Sequence, residues 1–460
     1  MELIVSPPSS PATALVLGAG FSRAAAPSMP LTDGLGQDAL TSLRWDPAST
    51  PTFASEGLTF ETWLSWLAER QPADSEAEYL SARARFSDLS AAIAREVRVA
   101  QEKADETGMA PWLAQLVDLA HWGRWDLVTM NYDTLIEGAV RRSPRFDSDS
   151  AIGVDDVVTG IPNSHGMFQA ETTAYRDRET LRLHKLHGSI DWYAVPGDAS
   201  GITLKRLDYG IDHESSYAAR ATIGGREVFI VPPTSAKGGY FENPRTRFVW
   251  REARLGLEKA DRVVLIGYSI PLTDTAMMNL LARALTADKE LVVVNPDANA
   301  VADRLRALGA TSPVRLLGGL DCVARFVAEE VERASAQLLP VLLERLLDSP
   351  DSPVAVGWEH GPWGAISSVE RRDDDQTLVL RVEHLDMPAG SIGRPPRTSP
   401  DEYPPRTLAL SDVLDASSPP RRIVAVSEGR EWTVGARVAP PDQVDDDWVV
   451  LRPLGDRPER

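Results

Sequence analysis

The sequence predicts an α/β protein: a Rossmann-like parallel sheet with helices on both faces and a helical insertion, followed by a C-terminal β-rich domain. Three observations carry this. Short apolar runs alternate with helical patterns over much of residues 12–320, which implies a parallel sheet covered on both sides. Several of these runs stop at a small polar set, Gly18–Ser22, Asn131–Asp133, Gly267–Ser269 and Asn295–Asp297, and ligands on such sheets bind at the carboxyl ends of the strands. Beyond residue 353 the composition changes to short β-like runs separated by Pro, Gly and Asp turns.

Taken in order, residues 1–11 are rich in Pro and Ser and predict a flexible lead-in. Residues 14–17 are an apolar strand running into Gly18-Ala19-Gly20. Glycines allow a tight turn and close approach to the backbone, and a helix starting there would direct N–H groups at a phosphate. The dinucleotide fingerprint wants a third small residue where Arg23 stands, so that fingerprint is not met. Residues 26–33 hold Pro27 and Pro30 and predict a loop over the glycine turn. From about 34 to 123 the pattern is helical: Phe60, Trp63, Leu64 and Leu67 share one face, residues 78–102 continue at helical spacing, and Trp112, Leu113, Leu116 and Leu119 form another stripe. The tryptophans read as core packing.

Residues 125–130 predict a strand ending in Asn131-Tyr132-Asp133, with a helix over 134–142. Residues 143–180 are polar and irregular. Over residues 181–192, strand alternation would send His184 and His187 to opposite faces, which argues against a shared metal. His184 reads as structural. A strand at 227–231 stops at Pro232-Pro233-Thr234. Helices at 241–259, 274–285 and 298–308 then alternate with strands at 262–266, 291–294 and 314–317. A last helix over 320–347 precedes a break at 348–353. The β-rich part, 354–460, has runs at 364–366, 377–382, 422–426 and 448–451, a Pro-rich loop at 386–406, and no catalytic constellation.

The totals exclude several classes. A net charge of −19 argues against a broad nucleic-acid footprint, and no direct nucleic-acid binding is expected. The single cysteine, Cys322, reads as a buried small hydrophobe and rules out an internal disulfide or a four-cysteine zinc site. No apolar run is long enough to span a bilayer, and residues 1–8 lack the features of a signal peptide. The expectation is a cytoplasmic protein without membrane contact.

Gly18-Ala19-Gly20-Phe21-Ser22, Thr129-Met130-Asn131-Tyr132-Asp133 and Leu186-His187-Gly188-Ser189 follow one another in order, supported by Pro232-Pro233-Thr234, Gly267-Tyr268-Ser269-Ile270-Pro271 and Val294-Asn295. In this the chain resembles the sirtuin-like superfamily, in particular the bacterial sirtuin-like NAD hydrolases of antiviral defence, over roughly residues 12–320. The resemblance implies that 12–347 is an NAD-binding catalytic domain whose insertion occupies about 34–123. It implies NAD as substrate, no metal, Asn131 and His187 as the catalytic pair, and Gly18, Ala19, Gly20, Phe21, Ser22, Asp133, Gly267, Ser269 and Asn295 as NAD-binding residues. It also implies a homo-oligomer and an activating partner protein or phage-derived trigger. Two departures from the deacylases stand out: the zinc cysteines are missing, and Pro30-Leu31-Thr32 replaces their Phe-Arg.

The chemistry suits those residue types. Nicotinamide leaves a cationic pyridinium as a neutral molecule, so the site needs no acid to expel it; it must stabilise a cationic ribose and direct water to it. An amide such as Asn131 can hold a water or a ribose hydroxyl without adding charge, and a histidine titrating near neutrality can take the proton. Beside this stand plainer roles: Asn131 as a helix cap and His187 as a hydrogen-bonded core residue. The leading expectation is a regulated NAD hydrolase giving nicotinamide and ADP-ribose. The alternatives are a protein deacylase or ADP-ribosyltransferase, and a non-catalytic module that binds NAD or ADP-ribose.

Overall fold

The computed structural model describes residues 11–45, 52–142, 154–162, 180–198, 200–207, 224–235 and 237–334, and in the C-terminal part residues 354–358, 363–372, 377–384, 422–427, 430–434 and 449–453. The expectations for residues 1–10, 335–353 and 386–406 lie outside these. The chain divides into two compact units, one comprising Pro11–Val327, the other containing Ala328–Arg460.

The first unit is built on a six-stranded parallel sheet. Its strands are β1 (Thr13–Leu17), β2 (Asp126–Thr129), β3 (Arg182–Lys185), β7 (Arg262–Ile266), β8 (Glu290–Val294) and β9 (Val314–Leu317), ordered β3-β2-β1-β7-β8-β9. The chain steps outward from β1 to β3, then returns to the other side of β1 as β7. The topological switch point therefore lies between the carboxyl ends of β1 and β7, where such sheets bind ligands. Ala14–Leu17, Val263–Ile266 and Leu291–Val294 have no exposed surface. Their unbroken apolar runs, rather than alternating ones, follow from burial of both faces. Helix α1 (Ala19–Ala25) leaves β1 directly.

The expected helical insertion consists of α2 (Thr32–Leu43), α3 (Phe60–Ala68), α4 (Glu76–Thr107) and α5 (Trp112–Gly123). The loop before α2 is shorter than the two prolines suggest, ending at Leu31. Arg23 holds it by donating to the carbonyls of Pro27 and Met29, and Ser28 donates to Ala100 on α4. Phe60, Trp63, Leu64 and Leu67 are buried as their spacing predicts, in a cluster that also holds Phe86, Leu89, Ile93, Tyr132 and Ile190. At about 1.5–3 kcal/mol for each large apolar side chain buried, this cluster secures the insertion against the segments that follow β2 and β3.

The stretch 181–192 is not one strand. It breaks after β3, and β4 (Gly188–Ala194) joins a separate antiparallel sheet with β5 (Lys205–Arg206) and β6 (Glu227–Ile230). The break occurs at Gly188, whose φ is +79° and where a Cβ would come within 2.2 Å of the Phe229 carbonyl oxygen. The alternation argument for His184 and His187 therefore does not apply, because His187 lies in the turn. Helix α6 (Leu135–Arg142) follows β2, and a short α7 (Val154–Val157) lies in the stretch expected to be irregular. Helices α8 (Gly238–Phe241), α9 (Pro244–Lys259), α10 (Thr275–Ala284) and α11 (Ala298–Ala307) complete the alternation, with α9 packed on β2 and β3. Residues 322–334 are helical, and Cys322 is buried.

The C-terminal part is a closed barrel of β10 (Val354–Trp358), β11 (Trp363–Arg372), β12 (Thr377–His384), β13 (Arg422–Ser427), β14 (Arg430–Val434) and β15 (Val449–Pro453). Closure pairs β10 with β15 and leaves no free edge. Leu378, Val379 and Leu380 of β12 are buried.

Candidate functional site

The turns at the carboxyl ends of the parallel strands are joined one to the next. The Gly18 N–H donates to the carbonyl of Ile266 at 3.1 Å, the Gly267 N–H to that of Val294 at 2.9 Å, and the Asn295 N–H to that of Leu317 at 3.1 Å. The first two turns touch through backbone. A Cβ on Gly18 would lie 2.6 Å from both the Gly267 oxygen and the Tyr268 Cα. One on Gly267, with φ +60°, would lie 2.1 Å from the Phe21 nitrogen. Turn-to-turn packing by itself therefore requires these glycines. Two N–H groups expected to face a phosphate are already bonded, Gly20 to the Gly267 carbonyl and Phe21 to that of Gly18, each at 2.9 Å.

Ser22, Asn131 and Asp133 converge on this turn. The Asn131 amide nitrogen Nδ2 donates to the Gly18 carbonyl at 2.9 Å and to Ser22 Oγ at 2.7 Å. Ser22 Oγ in turn donates to Asp133 Oδ2 at 2.6 Å. Both amide hydrogens of Asn131 are thus committed, and Oδ1 is left as its acceptor. The capping role belongs to Asp133, whose Oδ1 accepts from the Leu135 N–H at 3.2 Å. Phe21 is buried edge-on against Trp112, with ring centroids 5.6 Å apart. It borders a small cavity, with room for about one water molecule, also lined by Asn131, Asp133, Glu137 and Lys185.

A buried charged group stands behind that cavity. Lys185 Nζ donates to the Asp133 carbonyl at 2.5 Å, to Glu137 Oε1 at 2.7 Å and to Ser189 Oγ at 2.6 Å, which uses all three of its N–H bonds. Burial works against the Lys185 charge, but Glu137, Asp191 and Asp133 outweigh it and raise its pKa. Burial raises Glu137 and Asp191 above the ordinary carboxylate range, against the opposing pull of Lys185. A lysine at the buried end of β3, and a glutamate inside the apolar face of 135–140, are the sequence signals for this pair.

His187 belongs to a second cluster. Lys237 Nζ lies 3.3 Å from His187 Nε2 and 2.8 Å from Asp274 Oδ1. Tyr268 donates to Asp274 Oδ2 at 3.0 Å. Because Tyr268 also abuts Gly18, it joins this cluster to the first turn. Burial, then the Lys237 charge, hold the His187 pKa down to about 3, with Asp274 pulling the other way. Burial favours a neutral Asp274, but the charges of His187 and Lys237 and the bonds from Lys237 and Tyr268 prevail, and its pKa is lowered. His187 is neutral above pH about 3, so at neutrality Lys237 supplies that charge. Sequence reasoning missed Lys237, which reads as a loop residue before two glycines. It took Asp274 as a helix start. Asp274 does occupy the N-cap position of α10, yet makes no capping bond, because its carboxylate is spent on Lys237 and Tyr268.

The remaining expected residues sit at the same edge. Ala19 opens α1 and is half-buried. Ser269 is exposed after β7, and its carbonyl accepts from Arg304. Asn295 is half-buried, and its Oδ1 accepts from the Asp297 N–H at 3.0 Å. Ile270 has φ +54°, a strained value for a β-branched residue and of a kind found at functional turns. His184, fully buried, pairs with Asp126 at 2.7 Å. No helix among the described residues is long and apolar enough to cross a membrane, and among them no group of three or more His, Cys, Asp or Glu is placed to hold a metal.

No protein-family model matches the chain, and no curated protein matches it. Several solved structures resemble it. A Sir2 homologue in complex with NAD is 14% identical, with 73% of this chain and 94% of that one covered and a TM-score of 0.38. A mutant Sir2 homologue in complex with ADP-ribose is 14% identical over 72% and 96%, with a TM-score of 0.35. A Sir2 structure with a p53 peptide and NAD+ is 15% identical over 72% and 97%, with a TM-score of 0.29.

Proposed function

We propose that the Pro11–Val327 unit binds NAD at the switch point and hydrolyses its nicotinamide–ribose bond, giving nicotinamide and ADP-ribose. The observation that carries this is the Ser22–Asn131–Asp133 network, hydrogen-bonded to the Gly18 turn at the carboxyl edge of a parallel sheet. Gly18, Ala19, Gly20 and Ser22 would hold the diphosphate and ribose, Asp133 the ribose side through Ser22 and Asn131, and Gly267, Ser269 and Asn295 the adenosine side. Phe21 shapes the floor rather than the open face. Asn131 Oδ1 orients the water or a ribose hydroxyl, and His187 accepts the proton. A carboxamide held by two donated bonds is preorganised, so little is spent reorienting it during reaction.

The reading extends to a regulated effector of bacterial anti-phage defence that depletes NAD on a trigger, acting as a homo-oligomer or with an activating partner. The ordered motifs support it, and uncontrolled NAD loss would demand an inactive resting state. A second reading, a module that binds NAD or ADP-ribose without turnover, is favoured by one observation: His187 is a weak base whose Nε2 faces an ammonium.

The test is NAD loss and nicotinamide release, with products separated by chromatography, for the wild type, Asn131→Ala and His187→Ala, in bacteria with and without phage challenge. Loss that disappears in both variants supports the hydrolase. Constant NAD in challenged cells that are nevertheless protected sinks it. NAD bound by the purified protein without nicotinamide release then favours the binding module.

A further inference from the structure

Lys237 stands on His187. Its side chain is 4% exposed, and its Nζ is 3.3 Å from His187 Nε2. An ammonium has donors only, so this contact has one sense: Lys237 donates and the Nε2 lone pair accepts. The imidazole is then neutral, with its proton on Nδ1. That lone pair is the one through which His187 would take a proton from water or a ribose hydroxyl.

One helix of the insertion fastens both loops that build this contact. On α3, Ser65 Oγ accepts from the Ser235 N–H at 2.9 Å, two residues before Lys237. Glu61 Oε2 accepts from Thr273 Oγ1 at 2.6 Å, one residue before Asp274. Glu61 is itself largely buried, and its carboxyl is raised by burial against the nearby Lys237 charge. The ionisable groups around His187 are thus Lys237 from the loop before α8, Asp274 at the start of α10, Tyr268 after β7, Glu61 on α3, and Tyr132 after β2, with Tyr240 of α8 beyond it. Lys237 is the cation among them. A cation here also opposes the positive charge of a pyridinium and of the ribose from which it departs.

We propose that Lys237 is a positioning residue that masks His187: docked by α3, its ammonium occupies Nε2, and His187 becomes available as a base when the ammonium turns wholly to Asp274 and Glu61. The catalytic consequence rests on the hydrolase reading; the masking does not. Unmasking moves no proton, since one N–H···N bond is exchanged for an N–H···O bond. His187 then takes a proton from the water whose oxygen bonds to C1′ of the ribose. The C1′–N bond breaks with its electron pair on the nicotinamide nitrogen, leaving nicotinamide, ADP-ribose and a proton on His187.

The test uses the full chain and follows the His187 ring by NMR titration, with its signal assigned by loss in His187→Gln. Lys237→Met removes the ammonium, and Lys237→Met with Asp274→Asn removes it without leaving a buried carboxylate unpaired, so that one well-folded variant is available. In the wild type His187 stays neutral to about pH 3; in Lys237→Met, where Asp274 still pulls upward, it titrates at least roughly one pH unit higher, about a tenfold gain in proton affinity, and the double variant, which loses that pull as well, falls between the two. A midpoint that does not move overturns the proposal. Nicotinamide release at neutral pH rises roughly tenfold in Lys237→Met, and by less in the double variant, where base strength limits the rate; a fall of both to the level of His187→Gln overturns the proposal. If no protein releases nicotinamide while the His187 midpoint moves as expected, the hydrolase reading fails and the masking stands.

Discussion

The Asn131 amide nitrogen lies 2.7 Å from Ser22 Oγ, and the Ser22 hydroxyl is already donated to Asp133. The direction of every hydrogen bond in this network follows, because Ser22 has one proton to give and the carboxylate takes it. Asn131 must therefore present N–H to both Ser22 and Gly18. Asn131→Asp places a carboxylate against the Gly18 carbonyl and the Ser22 lone pairs, with Asp133 competing for the same hydroxyl. Asn131→Ala leaves the buried Gly18 carbonyl and Ser22 Oγ without this donor but puts no charge against them. The alanine variant is expected to lose about 1 kcal/mol of stability and the aspartate variant about 1–3 kcal/mol, read from urea unfolding midpoints. Equal losses would refute the assigned directions.

Gly267 is tested by its own geometry. Gly267→Ala puts a methyl group 2.1 Å from the Phe21 nitrogen at a φ of +60°. No side chain can rotate to relieve a clash with backbone, so the two turns must part. A loss of roughly 3 kcal/mol or more is expected. Gly34→Ala, in α2 with nothing within 4 Å of its Cβ, should be neutral or slightly stabilising. A calorimetric comparison of the two melting temperatures decides it.

The sheet was legible because each buried strand is a short apolar run and each turn carries its own polar set. Ser22, Asn131 and Asp133 stood out because each follows closely on a strand end, and parallel strands bring those ends together. The Lys237–Asp274–Glu61 group was not legible. Its members come from three loops or helix starts separated by the insertion and the second sheet, and no periodicity links them. The division of 181–192 between two sheets was hidden for a related reason: only the two-residue turn Leu186-His187, followed by Gly188 at positive φ, separates β3 from β4.

Lys185 and Glu137 form an ion pair with side chains 1% and 2% exposed. Breaking such a pair from one side leaves a charge without compensation, whereas replacing both partners with apolar groups does not. Lys185→Met is expected to cost about 3–5 kcal/mol, and Lys185→Met with Glu137→Leu to recover much of it. The double variant should still lower NAD affinity, because the Asp133 carbonyl loses its 2.5 Å bond to Lys185 and the residues around Asn131 loosen. Denaturation and calorimetric NAD binding on the same samples separate these effects. Full recovery of affinity in the double variant would show that the pair serves the core alone.

His187 makes stability depend on pH in a defined direction. Its pKa is held to about 3 in the folded protein, by burial first and by Lys237 second, whereas an unfolded histidine titrates near 6.5. Between those values the unfolded chain binds the extra proton, so stability rises with pH there. The contribution is fully present above about pH 6.5 and is lost as pH falls, by about 1.4 kcal/mol per pH unit at most, until the folded protein also protonates near pH 3. Carboxylates add their own acid sensitivity, so the informative quantity is a difference. The stability of wild type minus that of His187→Gln should shrink steadily from pH 6.5 downward and be flat from 7 to 8. Parallel pH profiles for the two proteins would mean that His187 titrates normally, with the Lys237 ammonium turned away from it.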